Sequence, residues 1–279
     1  MLRHTLNPDL PVLVRPDGVV QVGWDPQRAK LIRVPDGLSA PALADLLRTL
    51  QSGLTLPELQ ALAGNRGVTD LDAVTELVES LETAGLATAV RPRTRSASIR
   101  IHGRGPLSDL LATSLRCSGA RVRNSNLGHA SVTAATTDLV LLSDYLVADP
   151  HVVHELHGAK VPHLPVRVRD GAGLIGPLVV PGVTSCLRCA DLHRCDRDAD
   201  WPAVAAQLRG AVGSADRATV LATAALALNQ VHRVITAIDD GGIAGRPPPT
   251  LNTTLEFDVE TGTTTARTWS HHPGCECLR

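Results

Sequence analysis

The sequence predicts an α/β protein in two parts. Residues 1–92 are expected to form a small α+β domain, and residues 98–279 a larger domain in which strands and helices alternate. Three observations support this prediction: short Val, Ile and Leu runs alternate with helical patterns, a polar Pro-broken segment spans residues 91–97, and two close cysteine pairs stand at 186/189 and 275/277.

Composition excludes several classes of function. The 279 residues are 43% hydrophobic but only 2% aromatic, so the cores must be built from Val, Leu, Ile and Ala. A net charge of −1 argues against a nucleic-acid binder or a binder of anionic membranes, because both need a basic field. No apolar run reaches the roughly 18 residues of a membrane span, and residues 1–17 lack the apolar segment of a signal peptide. We therefore expect a soluble cytoplasmic protein without nucleic-acid or membrane partners.

The N-terminal domain is predicted from strand and capping signals. Short strands bounded by Pro, Asp and Gly are expected at 12–14, 19–22 and 29–34. A helix should span about 41–50, a second should open at Thr55 with Glu58 as its capping-box partner, and a third should open at Thr69 with Asp72 in the equivalent place. Gly85 is a plausible C-cap before a strand at 86–90. This order predicts a winged-helix-like domain.

The larger domain shows the alternation typical of a doubly wound sheet. Strands are expected at 99–101, 120–123, 138–142 and 161–168, helices at 107–118, 149–158, 201–208 and 217–238, and a β-hairpin at 251–259 and 263–269. We expect Cys117 to lie in the core. In the longest helix the apolar face is expected to comprise Leu221, Ala224, Leu228, Val231, Ile235 and Ile238, packed in the core or against a second subunit.

The cysteine pairs predict a structural zinc site. A tight loop with thiolates at i and i+3 places Cys186 and Cys189 on one side of the backbone, and Cys275 and Cys277 can complete a tetrahedral shell. The tail would then be held against the middle of the chain. Ordinary buried thiols, a disulfide and a redox pair are the alternatives. The fallback ligands are Cys195, His271 and His272.

The order of these motifs resembles a known family. A strand followed by Gly103-Arg-Gly105, the run Asp138-Leu-Val-Leu-Leu-Ser-Asp144, the Cys186 pair, a long Ala/Leu helix and His272-Pro-Gly-Cys-Glu-Cys277 are similar to the ThiF/MoeB superfamily of ubiquitin-activating-type adenylyltransferases. More specifically, the sequence resembles the ThiF-like leader-peptide-binding or cyclodehydratase-type partner proteins of thiazole/oxazole-modified microcin (TOMM) biosynthesis. It covers most of residues 98–279.

The resemblance implies a fold and partners. Residues 98–279 should form a Rossmann-like ThiF-type domain with a four-cysteine zinc site, and the protein should be a homodimer. The N-terminal domain is similar in layout to the RiPP recognition element, a winged helix that binds a peptide as an added strand. A leader or substrate peptide and a YcaO-type cyclodehydratase are the implied partners.

The resemblance also supplies candidate residues for ATP and magnesium. These are Gly103 and Gly105 in the phosphate loop and Asp144 at the metal position; Asp144 is alternatively an N-cap or loop carboxylate at a strand end. The family pattern is incomplete, because Ser108 replaces its third glycine, Pro106 removes a backbone N–H, and residues 98–159 contain no lysine. We assign no catalytic residue, and Cys195 is the one candidate nucleophile.

Three functional hypotheses follow. The first is a zinc-stabilised, non-catalytic scaffold that hands a bound peptide to a separate enzyme. The second is an active adenylyltransferase acting on a peptide or protein C-terminus. The third, a DNA-binding winged helix, is disfavoured because residues 70–84 carry five acidic residues and no Arg or Lys.

Overall fold

The structure is a computed structural model, and the chain forms two compact units, residues 1–94 and 95–279. The described residues are 1–34, 36–90, 95–128, 132–239 and 247–277. Residues 91–94 of the expected linker lie outside this description.

The N-terminal unit combines two small antiparallel sheets with three helices. One sheet has the order β2-β3-β4, and the other pairs β1 with β5. The helices and strands bury one core of Leu, Val and Ala side chains. The elements are β1 (Arg3–Leu6), β2 (Val12–Val14), β3 (Val20–Val22), β4 (Lys30–Ile32), α1 (Ala40–Leu50), α2 (Leu56–Gly64), α3 (Leu71–Thr83) and β5 (Ala87–Val90).

Local capping chemistry explains where these helices begin. The predicted capping box of α2 is present: the Thr55 hydroxyl accepts from the Glu58 N–H, and the Glu58 carboxylate accepts from the Thr55 N–H. The predicted cap of α3 is wrong by one residue. Asp70, not Thr69, is the N-cap, because its carboxylate accepts the N–H groups of both Asp72 and Ala73.

The C-terminal unit is a mixed α/β structure around a seven-stranded sheet of order β12-β11-β10-β9-β8-β6-β7. Strands β6 to β9 run parallel, whereas β10, β11 and β12 join the sheet antiparallel. The elements are β6 (Ser98–His102), α4 (Pro106–Cys117), β7 (Arg121–Ser125), β8 (Leu139–Ser143), α5 (Pro150–Gly158), β9 (His163–Arg169), β10 (Ala172–Ile175), α6 (Leu187–Cys195), α7 (Trp201–Leu208), α8 (Arg217–Asp239), β11 (Thr253–Asp258) and β12 (Thr263–Thr268).

Helices cover both faces of this sheet. Alternate residues of β8 point to opposite sides: Leu139 and Leu141 pack with α4 and α8, while Val140 and Leu142 pack with α5. Because both faces are covered, β8 is buried over its length and its first four residues are apolar, as predicted for a buried parallel strand. The chain after β6 turns to β7 on one side and later to β8 on the other, so the ends of β6 and β8 flank a switch point.

The packing of α8 corrects its predicted apolar face. Leu221 and Ile238 are exposed, whereas Val220, Ala227 and Val234 are buried with Ala224, Val231 and Ile235. An Ala/Leu/Val-rich helix offers two overlapping stripes, and contacts with β9, β10 and α4 select between them. Its segment Arg217–Ile238 is long and apolar enough to cross a membrane by composition, but here it packs against the sheet.

One further expectation needs correction, and the sequence patterns missed several elements. Cys117, expected in the core, is exposed at the last residue of α4. The sequence patterns also missed β10, which pairs with β9 through a tight turn at Asp170 and Gly171, and α6, whose nine residues include four polar side chains that interrupt the apolar pattern.

Candidate functional site

The first cysteine pair lies at the start of a helix. Cys186 is the N-cap of α6 and Cys189 is in its first turn, so the pair is not in the free-standing tight loop that was expected. The second pair, Cys275 and Cys277, lies in the tail that follows β12. All four are free cysteines.

The four sulfur atoms converge. The Cys186 Sγ lies 3.8 Å from the Cys189 Sγ and 3.6 Å from the Cys275 Sγ, and the Cys189 Sγ lies 3.5 Å from the Cys277 Sγ. A tetrahedral ion with metal–sulfur bonds of about 2.3 Å requires sulfur separations of about 3.8 Å. The predicted convergence of the two pairs is therefore confirmed, and this buried cluster could hold a metal ion.

The pKa values of the clustered thiols also favour a bound cation. Burial raises the pKa of the Cys186 thiol far above its ordinary value and raises the pKa of Cys277 to about 11. Burial also opposes ionisation of Cys189, but N–H groups of His272 and Cys186 lower its pKa below the ordinary value. Four thiolates cannot coexist in this space without a cation, because a buried negative charge needs a counter-charge.

Hydrogen bonds align the two segments that carry the cysteines. The Asn252 side-chain oxygen accepts from the Ser185 N–H and hydroxyl, each at 2.8 Å. The Trp269 indole N–H donates to the Thr254 hydroxyl at 2.9 Å. The start of α6 and the start of the tail are therefore positioned by polar contacts beside the sulfurs.

A second polar group connects the end of α6 to the tail. Ligand atoms of His193, Asp196 and His272 lie within 4.8 Å of one another. The Gly274 N–H donates to His272 Nδ1 at 3.0 Å, so Nε2 carries the ring proton and donates to the Asp196 carboxylate at 3.0 Å. A neutral imidazole with both ring nitrogens in hydrogen bonds has no lone pair for a cation. These residues therefore connect α6 to the tail by hydrogen bonds and do not form a metal site.

The fallback ligands are placed elsewhere. His271 Nε2 lies 2.9 Å from the Cys275 carbonyl oxygen, and His272 is committed to Asp196. Cys195 is half-buried at the end of α6 and is not a member of the four-sulfur group.

The glycine loop lies where β6 meets α4, beside the end of β8. A Cβ on Gly103 would lie 2.1 Å from the Ser143 carbonyl oxygen, and a Cβ on Gly105 would lie 2.6 Å from the Asp144 carboxylate. Both positions therefore require glycine for close approach. At both positions, the group that lies against the glycine is a residue of this chain, Ser143 in the first case and Asp144 in the second.

Asp144 is buried, and its carboxylate faces the first turn of α4. One oxygen accepts the Leu107 N–H and the other accepts the Ser108 N–H, both at 3.0 Å. The Ser108 hydroxyl also donates to Asp144 and lies 2.8 Å from the Ser143 hydroxyl. The carboxylate thus uses the free N–H groups that an N-terminal helix turn offers to an anion.

Ser108 is a contact of Asp144 that sequence reasoning missed. It was noted only as the residue that replaces a glycine, yet it supplies two of the donors to Asp144. The signal was the combination of Pro106 at the first helical position, a hydroxyl two residues later, and an aspartate just after a buried strand.

Similarity to solved structures is extensive in shape and low in sequence. A heterocyclase in complex with substrate and cofactor matches all of this chain (16% identity, TM-score 0.67, 40% of that chain covered), as does the heterocyclase TruD (18%, 0.64, 43%). Escherichia coli MccB with MccA-N7isoASN matches 99% of this chain and 100% of its own (12%, 0.58), and MccB with ATP also matches. No protein-family model and no curated protein matches the sequence.

These likenesses show a shared fold. The chain spans about two fifths of the length of the two heterocyclases, and all of MccB. The expected resemblance is therefore met at the level of the fold, and the ThiF-like and recognition-element assignments stay predictions.

Proposed function

We propose that this protein is a scaffold that binds a peptide through residues 1–92 and presents it to a separate modifying enzyme, without chemistry of its own. By resemblance, the peptide is a leader or substrate peptide, and the enzyme is a YcaO-type cyclodehydratase. In this proposal the scaffold is a cytoplasmic homodimer whose N-terminal unit acts as a winged-helix RiPP recognition element and whose C-terminal unit is ThiF-like.

The observation that carries the non-catalytic part is the position of Asp144. Nucleotide-binding α/β domains place a phosphate at the N-terminus of the helix after the first strand. Here the buried Asp144 carboxylate already accepts the Leu107 and Ser108 N–H groups. A phosphate at the same place would meet a like charge and two committed donors. Gly103 and Gly105 thus serve the fold in this proposal rather than ATP or magnesium.

The four-cysteine cluster supports a structural zinc ion in this scaffold. All four ligands are sulfur, and a closed four-sulfur shell is typical of structural rather than catalytic zinc. The ion would supply the positive charge that four buried thiolates need and would hold the tail beside α6. Cys186, Cys189, Cys275 and Cys277 would be its ligands.

The peptide-binding part is supported by the edge of the N-terminal sheet. Strand β4 pairs with β3 and with no other strand among the described residues, so its second edge can accept an added strand. Leu31 on β4 is 57% exposed, and Leu71 at the start of α3 is 42% exposed. The exposed acids Asp72, Glu76 and Glu79 of α3 favour a peptide that carries basic residues.

The test is a titration of the full chain with a fluorescent leader peptide encoded beside its gene. Leu31→Asp should weaken binding tenfold or more, because it places a charge on the proposed docking edge. Leu13→Asp is a matched control: Leu13 and Leu31 pair across Gln21 from opposite edges of one sheet. Absence of binding, or equal losses in the two variants, would reject peptide capture at β4.

The adenylyltransferase hypothesis keeps one supporting observation. MccB, a chain of matching extent, has been solved with ATP. The two proposals differ in ATP–pyrophosphate exchange: the scaffold shows none with any peptide, whereas an adenylyltransferase shows exchange that Asp144→Ala abolishes. Gly103→Ala is a poor control, because its Cβ would collide with the Ser143 carbonyl oxygen.

A further inference from the structure

The C-terminal unit contains a large cavity, and three of the four clustered cysteines lie in its wall. Its volume is about 1120 Å³. It lies on the sheet face that carries α5, with α6, α7 and the tail as further walls. Pockets for small molecules usually have volumes of about 300–1,000 Å³.

The walls of the cavity are mostly apolar. They include Leu146, Val153, Pro177, Leu187, Trp201 and Leu208. No residue of α7 is buried, so the apolar side of this helix faces the cavity or solvent instead of a core. The cavity therefore suits a ligand with an apolar body.

Arg167 gives the cavity a specific polar group. Val166 and Val168 of β9 pack into the core with α8, so Arg167 projects from the opposite face and lines the cavity. Among the described residues, it has neither a hydrogen bond nor an ion pair. The nearby Asp191 carboxylate accepts from Arg194 at 2.6 Å and from the Trp201 indole N–H at 3.3 Å, both at Oδ1, and it forms no hydrogen bond with Arg167.

Arginine side chains outnumber acidic side chains in the lining. Five arginines and three acidic residues line the cavity. The pKa of Arg167 is lowered to about 10, chiefly by burial and also by the charges of Arg194 and Arg169, while the charge of Asp191 opposes this shift. A half-buried guanidinium beside two others is a place where an anion would restore the balance.

We infer that this cavity binds a small organic anion, an apolar body ending in a carboxylate or a phosphate that pairs with the Arg167 guanidinium. The planar fork of Arg suits both groups, because each presents two oxygens to two N–H donors. The cavity is separate from the glycine loop and Asp144, which do not line it.

Calorimetric titration of the zinc-loaded full chain tests this inference with three probes below their micelle concentrations. Decanoate, decyl phosphate and the neutral decanol share one apolar chain, so their difference isolates the anionic group. We expect at least one anion to bind tenfold or more tightly than decanol, and the ratio of the two anions identifies the preferred group. Arg167→Met should remove this preference, whereas Arg188→Met, at an exposed position of the lining, should change it less than twofold.

The variants also separate binding from folding. Arg167→Lys retains a cation and should keep a preference for anions over decanol, and thermal melts of the three variants report any loss of structure. Equal affinity for decanol and both anions, equal losses in Arg167→Met and Arg188→Met, or no binding of any probe would overturn the inference. Peptide binding at the N-terminal unit is a separate readout, and Arg167→Met should leave it unchanged.

Discussion

The four-cysteine cluster and the Asp144 centre are two buried polar sites in the same unit, and they differ in what completes them. The cysteines bring four acceptors together with no positive group between them. Asp144 brings one anion to a helix turn that already offers donors. The first site could hold a metal ion, whereas the carboxylate of the second is already hydrogen-bonded within the chain. Satisfaction of buried groups, more than motif identity, distinguishes a ligand site from a structural one.

Metal removal should give the largest effect. Cys275→Ser should lose the bound ion and destabilise the C-terminal unit by about 5 kcal/mol or more, since structural zinc contributes about 10–16 kcal/mol in zinc-finger peptides. Elemental analysis and thermal melts with and without a chelator measure both changes. Cys117→Ser is the control, because Cys117 is exposed and should change neither value. Full metal content and an unchanged melting temperature in Cys275→Ser would show that the cluster is not a structural metal site.

Asp144→Ala should give the next largest effect. It leaves the N–H groups of Leu107 and Ser108 and the Ser108 hydroxyl without their acceptor in a buried place, which should cost about 2–4 kcal/mol. Urea unfolding measures the loss, and pyrophosphate should raise the melting temperature of the variant but not of the wild type, because the vacated helix turn can accept an anion. A variant as stable as the wild type would indicate that Asp144 is held for function instead.

The sequence contained the residues of both sites, but it was sufficient to predict the arrangement of only one of them. Sulfur spacing was sufficient for the cysteine cluster, because thiolates in two close pairs have few other uses. The glycine loop was ambiguous, since Gly103 and Gly105 can admit either a phosphate or a neighbouring carboxylate. That choice depends on the distance between β6 and β8, which lie some forty residues apart in the chain.

The same distinction explains the rest of the fold prediction. Local signals gave the α2 capping box and most strand and helix positions to within a few residues. Strand β1 was missed because its partner β5 lies more than eighty residues later, and the buried face of α8 was wrong because tertiary contacts chose between two stripes. The exposure of Cys117, at the last residue of α4, also depended on packing.

Acid should lower the stability of the C-terminal unit through more than one group. Variants of His163 separate its contribution from that of proton competition at the cysteines. This fully buried histidine has its folded pKa lowered to about 4, chiefly by burial, so the unfolded chain binds a proton first. The stability that it contributes is present above pH 6.5 and should fall by about 3 kcal/mol as the pH drops from 6.5 through 4. In urea unfolding, His163→Leu should flatten this slope, whereas His151→Leu, at an exposed position of α5, should not. An equally steep slope in His163→Leu would assign the acid sensitivity to groups other than His163, which include the cysteines and two further histidines whose pKa burial lowers, His102 and His157.

Asp149→Ala should give the smallest loss of stability. Its comparison with Asp144→Ala measures most directly how burial changes the contribution of a capping carboxylate. It caps α5 as Asp144 caps α4, and its carboxylate accepts the His151 N–H at 2.8 Å, but that contact is exposed. Water can replace the lost acceptor in Asp149→Ala, so the variant should lose only about 1 kcal/mol in urea unfolding. The two variants remove the same carboxylate from the same kind of helix end, and the difference between them isolates the desolvated donors around Asp144. Equal losses would mean that Asp144 is an ordinary cap with accessible water, and the first turn of α4 would then remain open to a phosphate.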